Sequence, residues 1–320
     1  MKSRNLEDSV KIVVTGGAGF IGSNLTKKLC SEGHDVIVID DLSSGYLEHL
    51  RDLSYTFKNI NIKNNEIVND KVFENVDVIY HLAADVDNRF SWEKPYLGIE
   101  SNVIGTLNIG LAARNFQIPK IVYASSGTIY GDNLNPPFKE SDESSTQTTL
   151  YGSTKYSAEG ILSVFSTHFG TQVIVHRFVG VLGPHSSHGH IFDFMKKIKN
   201  NPESLKVLGN GYQKKSYIHV EDVLNGITSI QSDKPFEVFN LGRSDYSTVR
   251  DSVTWLLKEL NSKAKPQYEE NDRGWTGDNP FLQLDVSKAL TKGWLPKFTI
   301  EEAVTDTIRW LNGNPWIFDR

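Results

Sequence analysis

The sequence has 320 residues, a formal net charge of −5 and the composition of an ordinary globular protein. That length provides a sizeable core for one large or two modest domains. The slight negative charge gives no argument for nucleic acid or an anionic membrane surface as a partner. The single cysteine, Cys30, excludes an internal disulfide framework, and no apolar run is long enough to span a membrane. Because the N-terminus also lacks the apolar core of a signal peptide, a cytoplasmic protein is expected.

The first half of the chain alternates apolar strands with helical segments, which is typical of a parallel sheet covered on both faces. The predicted strands of this half are residues 11–15, 35–39, 55–59, 76–81, 120–124 and 172–178. The predicted helices are residues 22–31, 71–74, 96–115 and 151–169. This alternation predicts an α/β fold with a doubly wound parallel sheet.

The pattern becomes irregular after Arg177. Helices are predicted for residues 191–200, 249–261 and 300–311, short strands for 206–208, 215–219 and 237–240, and loops for 184–189 and 264–280. We therefore expect a larger domain over residues 1–178 and a smaller mixed α/β domain over 179–320. Segments near 215–243 are expected to pack back onto the first domain, with a ligand in the cleft between the two.

A glycine-rich turn follows the first predicted strand. Gly17, Gly19 and Gly22 have the spacing GxGxxG, which permits a tight turn, close approach of a pyrophosphate and close packing of helix on strand. Asp40 closes the next predicted strand, where a carboxylate accepts both ribose hydroxyls of NAD and repels the 2′-phosphate of NADP. A structural glycine turn is the alternative, but strand, helix and acidic residue together favour a Rossmann NAD domain.

Two further segments carry candidate catalytic residues. Ser126 and Thr128 follow the predicted strand 120–124, at the carboxyl edge of the sheet where ligands bind. Tyr151 and Lys155 are four residues apart on a predicted helix and share one face. A neighbouring ammonium and the positive nicotinamide ring favour the tyrosine phenolate, so Tyr151 can take a hydroxyl proton while Ser126 bridges the substrate oxygen to it. A surface pair is the alternative for an isolated YxxxK, but this context favours catalysis.

These motifs resemble those of the extended short-chain dehydrogenases/reductases, in the NAD-dependent epimerase/dehydratase family. The chain is most similar to the UDP-glucose 4-epimerase group, and the resemblance runs from Ile12 to about Trp310. It rests on TGGAGFIG at 15–22, the Asp40-Asp41 pair, HLAA at 81–84, SNVIGTLN at 101–108, SSGTIYG at 125–131, YGSTK at 151–155 and YIHVEDV at 217–223.

The resemblance implies roles for individual positions. The expected NAD contacts are Gly16, Gly17, Gly19, Phe20, Ile21, Gly22, Asp40, Asp41, Leu42, Ser44, Gly45, Asn59, Ile60, Leu82, Ala83, Ala84, Asn102, Ala124, Tyr151, Lys155 and Phe178. The expected catalytic residues are Tyr151, Lys155, Ser126 and Thr128. The expected substrate contacts are Asp85, Arg89, Ser126, Gly127, Thr128, Tyr151, Gly180, Val207, Lys215, Arg273 and Asp278.

The resemblance also implies partners. NAD is expected to stay tightly bound and to be recycled, and the substrate is expected to be a nucleotide sugar, UDP-linked. Residues 96–115 and 151–169 match helices that form a homodimer interface in the family, although their apolar residues also suit an ordinary core. The histidines at 185, 188 and 190 match no zinc spacing, so no metal is expected.

The two residues after Ser126 indicate which reaction is expected. Family dehydratases place acidic residues there, and family decarboxylases carry a glutamate, whereas this chain has Gly127 and Thr128. Neither is a proton donor with a useful pKa. We therefore expect a 4-epimerase of a UDP-hexose or UDP-N-acetylhexosamine that works by transient oxidation at C4. Another family dehydratase or epimerase stays open as an alternative, as does a non-catalytic NAD-sensing regulator, a class that typically loses the Tyr/Lys pair.

Several positions depart from the family pattern. Lys215 replaces an arginine, and Gly180 replaces an asparagine that binds the substrate diphosphate. Leu282 stands where a tyrosine restricts some 4-epimerases to unsubstituted hexoses, so an N-acetyl group gains room. Asn59 stands where an aspartate often contacts adenine. Arg89 either reaches a substrate oxygen or pairs with a neighbouring aspartate.

Overall fold

The computed structural model describes residues 9–87, 89, 91–131, 136–142, 146–275, 278–279 and 281–319. Its strands are β1 Lys11–Thr15, β2 Asp35–Asp40, β3 Thr56–Asn59, β4 Val78–His81, β5 Lys120–Ser126, β6 Gln172–Phe178, β7 Gly180–Leu182, β8 Ser204–Val207, β9 Lys214–Lys215, β10 Tyr217–His219, β11 Phe236–Leu241, β12 Ser247–Thr248, β13 Lys265–Tyr268 and β14 Phe281–Leu282. Its α-helices are α1 Phe20–Ser31, α2 Pro95–Gly98, α3 Gly105–Asn115, α4 Leu150–Phe169, α5 His190–Asn200, α6 Val220–Ser229, α7 Val249–Glu259, α8 Ser287–Thr291 and α9 Ile300–Gly313. A π-helical turn, Ile99–Ile104, joins α2 to α3.

Seven strands form the main sheet in the order β11-β6-β5-β4-β1-β2-β3. Parallel pairs join β3 to β2, β2 to β1, β1 to β4 and β4 to β5. The chain builds outward from β1 to β3 and then crosses back to β4. The strand order therefore reverses between β1 and β4, and ligands of open parallel sheets bind at the carboxyl ends of the strands beside such a reversal. The predicted doubly wound α/β fold is confirmed.

The apolar core on one face of this sheet explains why its strands read as nearly continuous hydrophobic runs. Val13 of β1, Ile79 of β4 and Val175 of β6 are buried in one cluster with Ile109 of α3 and Leu162 of α4. Strands covered by helices on both faces bury successive side chains, which is the pattern seen over β2. This packing fixes the carboxyl ends of β1, β4 and β5, which carry the candidate site residues.

The chain divides into two compact units. The first comprises Met1–Ser125, Ser153–His176 and Gln231–Phe239, and the second comprises Ser126–Gly152, Arg177–Ile230 and Asn240–Arg320. The second unit contains three small sheets with the strand orders β10-β7, β12-β9-β14 and β13-β8. Among the described residues, no helix has both the length and the apolar character needed to cross a bilayer.

Several details of the predicted secondary structure are wrong. Lys71–Phe73 forms a single 3₁₀ turn in place of the predicted α-helix 71–74, because the chain returns to an extended backbone at Glu74. The predicted strand 215–219 is two strands, β9 and β10, which pair in different sheets. The predicted loop 264–280 contains β13, which pairs in parallel with β8 despite its weakly apolar sequence. Helix α6 follows β10 directly and was missed, although its first turn carries two acidic residues.

Candidate active site

The glycine turn after β1 is built by close backbone approaches. Gly16 has a φ of +69°, a region that side chains rarely adopt, and a Cβ atom there would lie 2.7 Å from Ala83 N. A Cβ atom on Gly17 would lie 2.8 Å from Val38 Cγ1, and one on Gly22 would collide with the Gly16 carbonyl oxygen. Helix α1 begins directly after this turn with no acidic residue in its first turn. Its N-terminal amides are therefore suited to a pyrophosphate.

Asp40 closes β2 beside this turn. Its carboxylate accepts hydrogen bonds from Ala18 N at 3.0 Å and from Leu42 N at 2.8 Å. Burial raises the pKa of Asp40, and the two backbone donors partly offset that effect. Each carboxylate oxygen keeps a further lone pair, so ribose hydroxyls find acceptors here. Asp41 is engaged differently, because its side chain accepts from Ser43 and from Asn61 Nδ2.

The segment after β4 forms a wall opposite the glycine turn. His81 lies between two threonine hydroxyls, with Nδ1 2.7 Å from Thr15 Oγ1 and Nε2 2.9 Å from Thr106 Oγ1. Asn102 holds the next turn of chain, because its side chain accepts from Asp85 N at 2.8 Å and donates to Asp85 O at 3.0 Å. These bonds fix the backbone of residues 82–85, and with the glycine turn and Asp40 they fit the adenosine and pyrophosphate of a dinucleotide.

The other expected NAD contacts are spread over the carboxyl ends of the strands. Phe20 and Ile21 open α1, Leu42, Ser44 and Gly45 follow β2, Asn59 ends β3, Ile60 follows it, Leu82, Ala83 and Ala84 follow β4, Ala124 lies in β5, and Phe178 ends β6. The Asn59 side chain lies 3.5 Å from the Asp40 carbonyl oxygen, beside the expected ribose position.

Lys155 is buried on helix α4, one turn after Tyr151. Lys155 is only 3% exposed, and its Nζ atom donates a hydrogen bond to the Ala124 carbonyl oxygen at 2.8 Å. Burial lowers the pKa of Lys155 to about 7, while Glu159 acts in the opposite direction. Tyr151 is half-buried on the same helix. An ammonium one helical turn from a tyrosine favours its phenolate.

Ser126 and Thr128 form a hydroxyl pair at the end of β5. The Ser126 Oγ atom accepts from Thr128 N at 3.2 Å and from Thr128 Oγ1 at 2.9 Å. The turn Gly127–Tyr130 that follows is 3₁₀-helical and is anchored by Tyr130, whose hydroxyl donates to Asn240 Oδ1 at 2.8 Å. Because Thr128 donates to Ser126, the serine proton is left to donate to a bound oxygen.

Three of the expected substrate contacts lie together. Lys215 Nζ contacts Asp278 Oδ1 at 2.6 Å, and Arg273 Nη1 donates to the Asp278 carbonyl oxygen at 3.1 Å. The Asp278 carboxylate also accepts from Gly274 N at 3.1 Å. Val207 ends β8 as a buried residue. Asp278 thus holds both cations at one place, Lys215 through its carboxylate and Arg273 through its backbone carbonyl oxygen.

Gly180 is constrained by Tyr217. A Cβ atom on Gly180 would lie 2.7 Å from Tyr217 Cδ1, so an asparagine at this position requires Tyr217 to move. His190 stacks on the Tyr217 ring, with the two ring centroids 4.6 Å apart. The family's asparagine and this chain's glycine therefore differ in packing as well as in hydrogen bonding.

Two polar loops carry further candidate residues. Arg89 N donates to Asp87 Oδ1 at 3.1 Å, which fixes the backbone of the loop that follows the wall. The His185 ring packs at a tilt against Trp310, with ring centroids 5.3 Å apart, and His190 Nε2 lies 3.2 Å from Ser252 Oγ, so these histidines have local partners. Within the described ranges, no cluster of His, Cys, Asp and Glu has the arrangement of a metal site.

Glu159 and Ser125 were not identified from the sequence, although both lie at the site. Glu159 is buried two helical turns after Tyr151, and its carboxylate accepts from the Ser125 hydroxyl. The spacing in the sequence could have indicated Glu159, since an acidic residue four positions after Lys155 shares its helix face. In a sequence, however, such a residue looks like a solvated charge.

A parallel sheet with a reversal of strand order, a glycine turn and a terminal aspartate defines a dinucleotide-binding α/β protein, and YxxxK on α4 adds the residues of a dehydrogenase. Residues 12–242 match the model of the NAD dependent epimerase/dehydratase family. The chain belongs to this family. Its cofactor is therefore NAD.

Individual relatives carry out different reactions. The chain is 31% identical to a UDP-glucuronate 4-epimerase of Thermodesulfobacterium geofontis, over 94% of this chain and 96% of that protein. It is 30% identical to UDP-glucuronic acid decarboxylase 1 of Arabidopsis thaliana, over 92% of this chain and 68% of that protein. A crystal structure of a UDP-galactose 4-epimerase superposes with a TM-score of 0.86 and 32% identity, over 96% of this chain and 100% of that one. The chain is thus similar to nucleotide-sugar epimerases and to a decarboxylase.

Proposed function

We propose that this protein is a nucleotide-sugar 4-epimerase that acts on a UDP-hexose or UDP-N-acetylhexosamine. The observation that carries the proposal is the buried Lys155 one helical turn after Tyr151 on α4, together with the Ser126–Thr128 hydroxyl pair at the end of β5 and no acid at positions 127 and 128. A proton acceptor and a hydroxyl partner are enough for oxidation and reduction of one carbon. Dehydration or decarboxylation would need a further acid or base.

In this mechanism Tyr151 accepts the proton of the substrate 4-hydroxyl, and Ser126 donates a hydrogen bond to the same oxygen. NAD, when bound, supplies the acceptor and later the donor of the hydride at C4. Lys155 favours the Tyr151 phenolate electrostatically and holds the nicotinamide ribose. Tyr151 then returns its proton to the C4 oxygen once the opposite face of the 4-keto sugar is presented, so the reaction leaves no net oxidation.

The substrate residues have to hold the diphosphate while the sugar turns. We propose Lys215 and Arg273 for the two phosphates, Asp278 for a ribose hydroxyl and Val207 for the wall beside the base. Lys215 supplies a point charge where the family has the planar fork of an arginine, so it restricts the diphosphate geometry less. Leu282 beside the sugar leaves room for an N-acetyl group, which supports UDP-N-acetylhexosamines as well as UDP-hexoses.

We further propose that NAD is retained through the catalytic cycle, because each turnover restores it. The domain assignment, with NAD bound by the first part of the chain and the nucleotide sugar by residues after 178, belongs to this proposal. So does a homodimer formed through α3 and α4. A chain with one cysteine in 320 residues also suits a reducing compartment, and we propose the cytoplasm.

The test is proton NMR of the purified protein with UDP-N-acetylglucosamine, UDP-glucose and UDP-glucuronate in separate samples, without added NAD. The expected result is the anomeric signal of a C4 epimer that grows to a fixed ratio with UDP-N-acetylglucosamine or UDP-glucose, and its absence with the Tyr151→Phe variant. A C4 epimer formed from UDP-glucuronate alone would overturn the proposed substrates and keep the 4-epimerisation. A 6-deoxy methyl signal would instead identify a dehydratase, and a UDP-pentose would identify a decarboxylase. Unchanged spectra with every sugar would contradict the proposed substrates.

A further inference from the structure

Glu159 is a buried carboxylate that the mechanism above does not use. It lies on helix α4 and is 4% exposed. Residues 151, 155 and 159 follow each other at intervals of four, so Tyr151, Lys155 and Glu159 share one face of the helix. A carboxylate in such a place is costly unless it is paired and hydrogen-bonded, and its partners therefore indicate its role.

Two neighbouring residues of β5 contact two successive turns of α4. The Ala124 carbonyl oxygen accepts from Lys155 Nζ at 2.8 Å, and the Ser125 hydroxyl donates to Glu159 Oε1. The next residue of the strand is Ser126, the proposed hydroxyl partner of the substrate. The two hydrogen bonds thus fix the register between the helix that carries Tyr151 and the strand that ends in Ser126.

The surroundings of Lys155 make Glu159 its principal electrostatic partner. Burial lowers the pKa of Lys155 to about 7, and the Glu159 carboxylate counteracts this effect. From β5, the Tyr123 ring lies with its centroid 4.9 Å from Lys155 Nζ. From β4, His81 faces the same region, and burial together with Lys155 lowers its pKa to about 3, so His81 is neutral. The Glu159 carboxylate favours the charged form of Lys155.

We propose that Glu159 is a positioning residue of the active site, which keeps Lys155 in its ammonium form and holds α4 against the end of β5 so that Tyr151 ionises when substrate binds. This inference rests on the proposed role of Tyr151 as the proton acceptor. It assigns a function to a residue outside the Tyr-Lys-Ser group. Glu159 acts through Lys155 and does not touch the substrate.

Loss of the carboxylate has a predictable effect on both ionisations. Without Glu159, desolvation of Lys155 is less compensated, so Lys155 loses its proton at a lower pH. Tyr151 then lacks a neighbouring cation over part of the neutral range, so the phenolate forms at a higher pH. The pH range in which Lys155 is charged and Tyr151 ionises becomes narrower from both sides.

The test is a phenolate titration by absorbance at 295 nm, in which each protein as purified is compared with its Tyr151→Phe counterpart. In Glu159→Gln, which keeps the shape and a hydrogen-bonding atom for Ser125, we expect the Tyr151 titration to move up by about one pH unit. We expect kcat at neutral pH to fall by about tenfold, with the sugar KM changed by less than about twofold. The matched control is Glu301→Gln, the same change at an exposed glutamate of α9, which should leave the Tyr151 titration in place.

An unchanged Tyr151 titration in Glu159→Gln, with or without loss of rate, would overturn the inference and leave a structural role. If that variant does not fold, Lys155→Met and Lys155→Met/Glu159→Gln carry the test, because neither leaves a buried ammonium without its carboxylate. Tyr151 should titrate at no higher pH in the double variant than in Lys155→Met. A rise of about one pH unit in the double variant would overturn the inference. A wild-type protein whose Tyr151 titrates as an ordinary tyrosine, near ~10, would contradict the proposed function itself.

Discussion

The Nζ atom of Lys155 donates a hydrogen bond of 2.8 Å to the carbonyl oxygen of Ala124. This bond places the buried amine of Lys155 at the carboxyl end of β5, one helical turn from Tyr151. A lone ammonium would not be retained in a buried position without an acceptor, because desolvation opposes the charged form. The charge is therefore placed where the proposed proton transfer needs it.

Replacement of this cation should abolish activity without loss of the fold. For Lys155→Met we expect turnover to fall by at least about 100-fold, since Tyr151 loses the neighbouring charge. The folded pKa of Lys155, about 7, lies below its unfolded value of 10.5, so the unfolded chain binds this proton more tightly. Removal of the amine should therefore leave thermal stability at pH 7 unchanged or raised. The exposed Lys27 offers a control, and a Lys155→Met enzyme as active as Lys27→Met would refute the prediction.

Gly22 is the glycine of the turn with the least room for a side chain. A Cβ atom there would collide with the Gly16 carbonyl oxygen, so Gly22→Ala should push α1 away from the turn. We expect the purified variant to contain little or no NAD, as measured by absorbance after acid release. Gly313→Ala is the control, because a Cβ atom on this helical glycine meets no atom within 4 Å. Equal NAD content in both variants would contradict the assigned contact.

The NAD half of the chain could be predicted closely from sequence because its signals are local. The turn at Gly16–Gly22 and the aspartate at Asp40 combine strand, turn and helix patterns within about thirty residues. The structure confirms the predicted parallel sheet that carries them. The boundaries of the helices were less accurate, since α4 begins at Leu150 and α1 at Phe20.

The second half could not be predicted as well because its structure depends on contacts between distant segments. Strand β13 has little apolar alternation and forms because β8 offers a partner. Lys215 and Asp278 were each identified, but nothing in their separate motifs indicated the 2.6 Å contact between them. The clash that Gly180 avoids with Tyr217 is likewise visible only once both residues are placed.

The proposed homodimer makes a prediction about helix α4. Tyr156 and Val164 are eight residues apart on one face of α4 and are 48% and 50% exposed. A glutamate at either position would have to lose its hydration in an interface, so Tyr156→Glu/Val164→Glu should shift the mass measured by light scattering from a dimer to the 36.0 kDa chain. Leu295→Glu, a similar change at a residue that is 65% exposed, should leave the mass unaltered. A wild-type chain that already elutes as a monomer would refute the proposed dimer.

His176 predicts how stability depends on pH. It lies in β6, is fully buried, and neither ring nitrogen has a hydrogen-bond partner among the described residues. Its ring stacks on Phe239 with centroids 6.0 Å apart. Burial, with a smaller contribution from Lys120, lowers the pKa of His176 from 6.5 to about 3. The unfolded chain therefore binds a proton below pH 6.5 that the folded chain does not, and stability falls as the pH falls from 6.5 towards 3.

At pH 5 this difference costs the folded state about 2 kcal/mol, which is about 1.5 pH units at 1.36 kcal/mol each. His176→Leu removes the titrating group and keeps an apolar side chain in the sheet. Urea unfolding at pH 7.5 and pH 5 should show a smaller loss of the free energy of unfolding in this variant than in the wild type, by about 2 kcal/mol. The variant still loses some stability on acidification, because His81 has a pKa of about 3 and contributes in the same way. The exposed His168 provides the control His168→Gln, and the prediction fails if His176→Leu loses as much stability on acidification as that control.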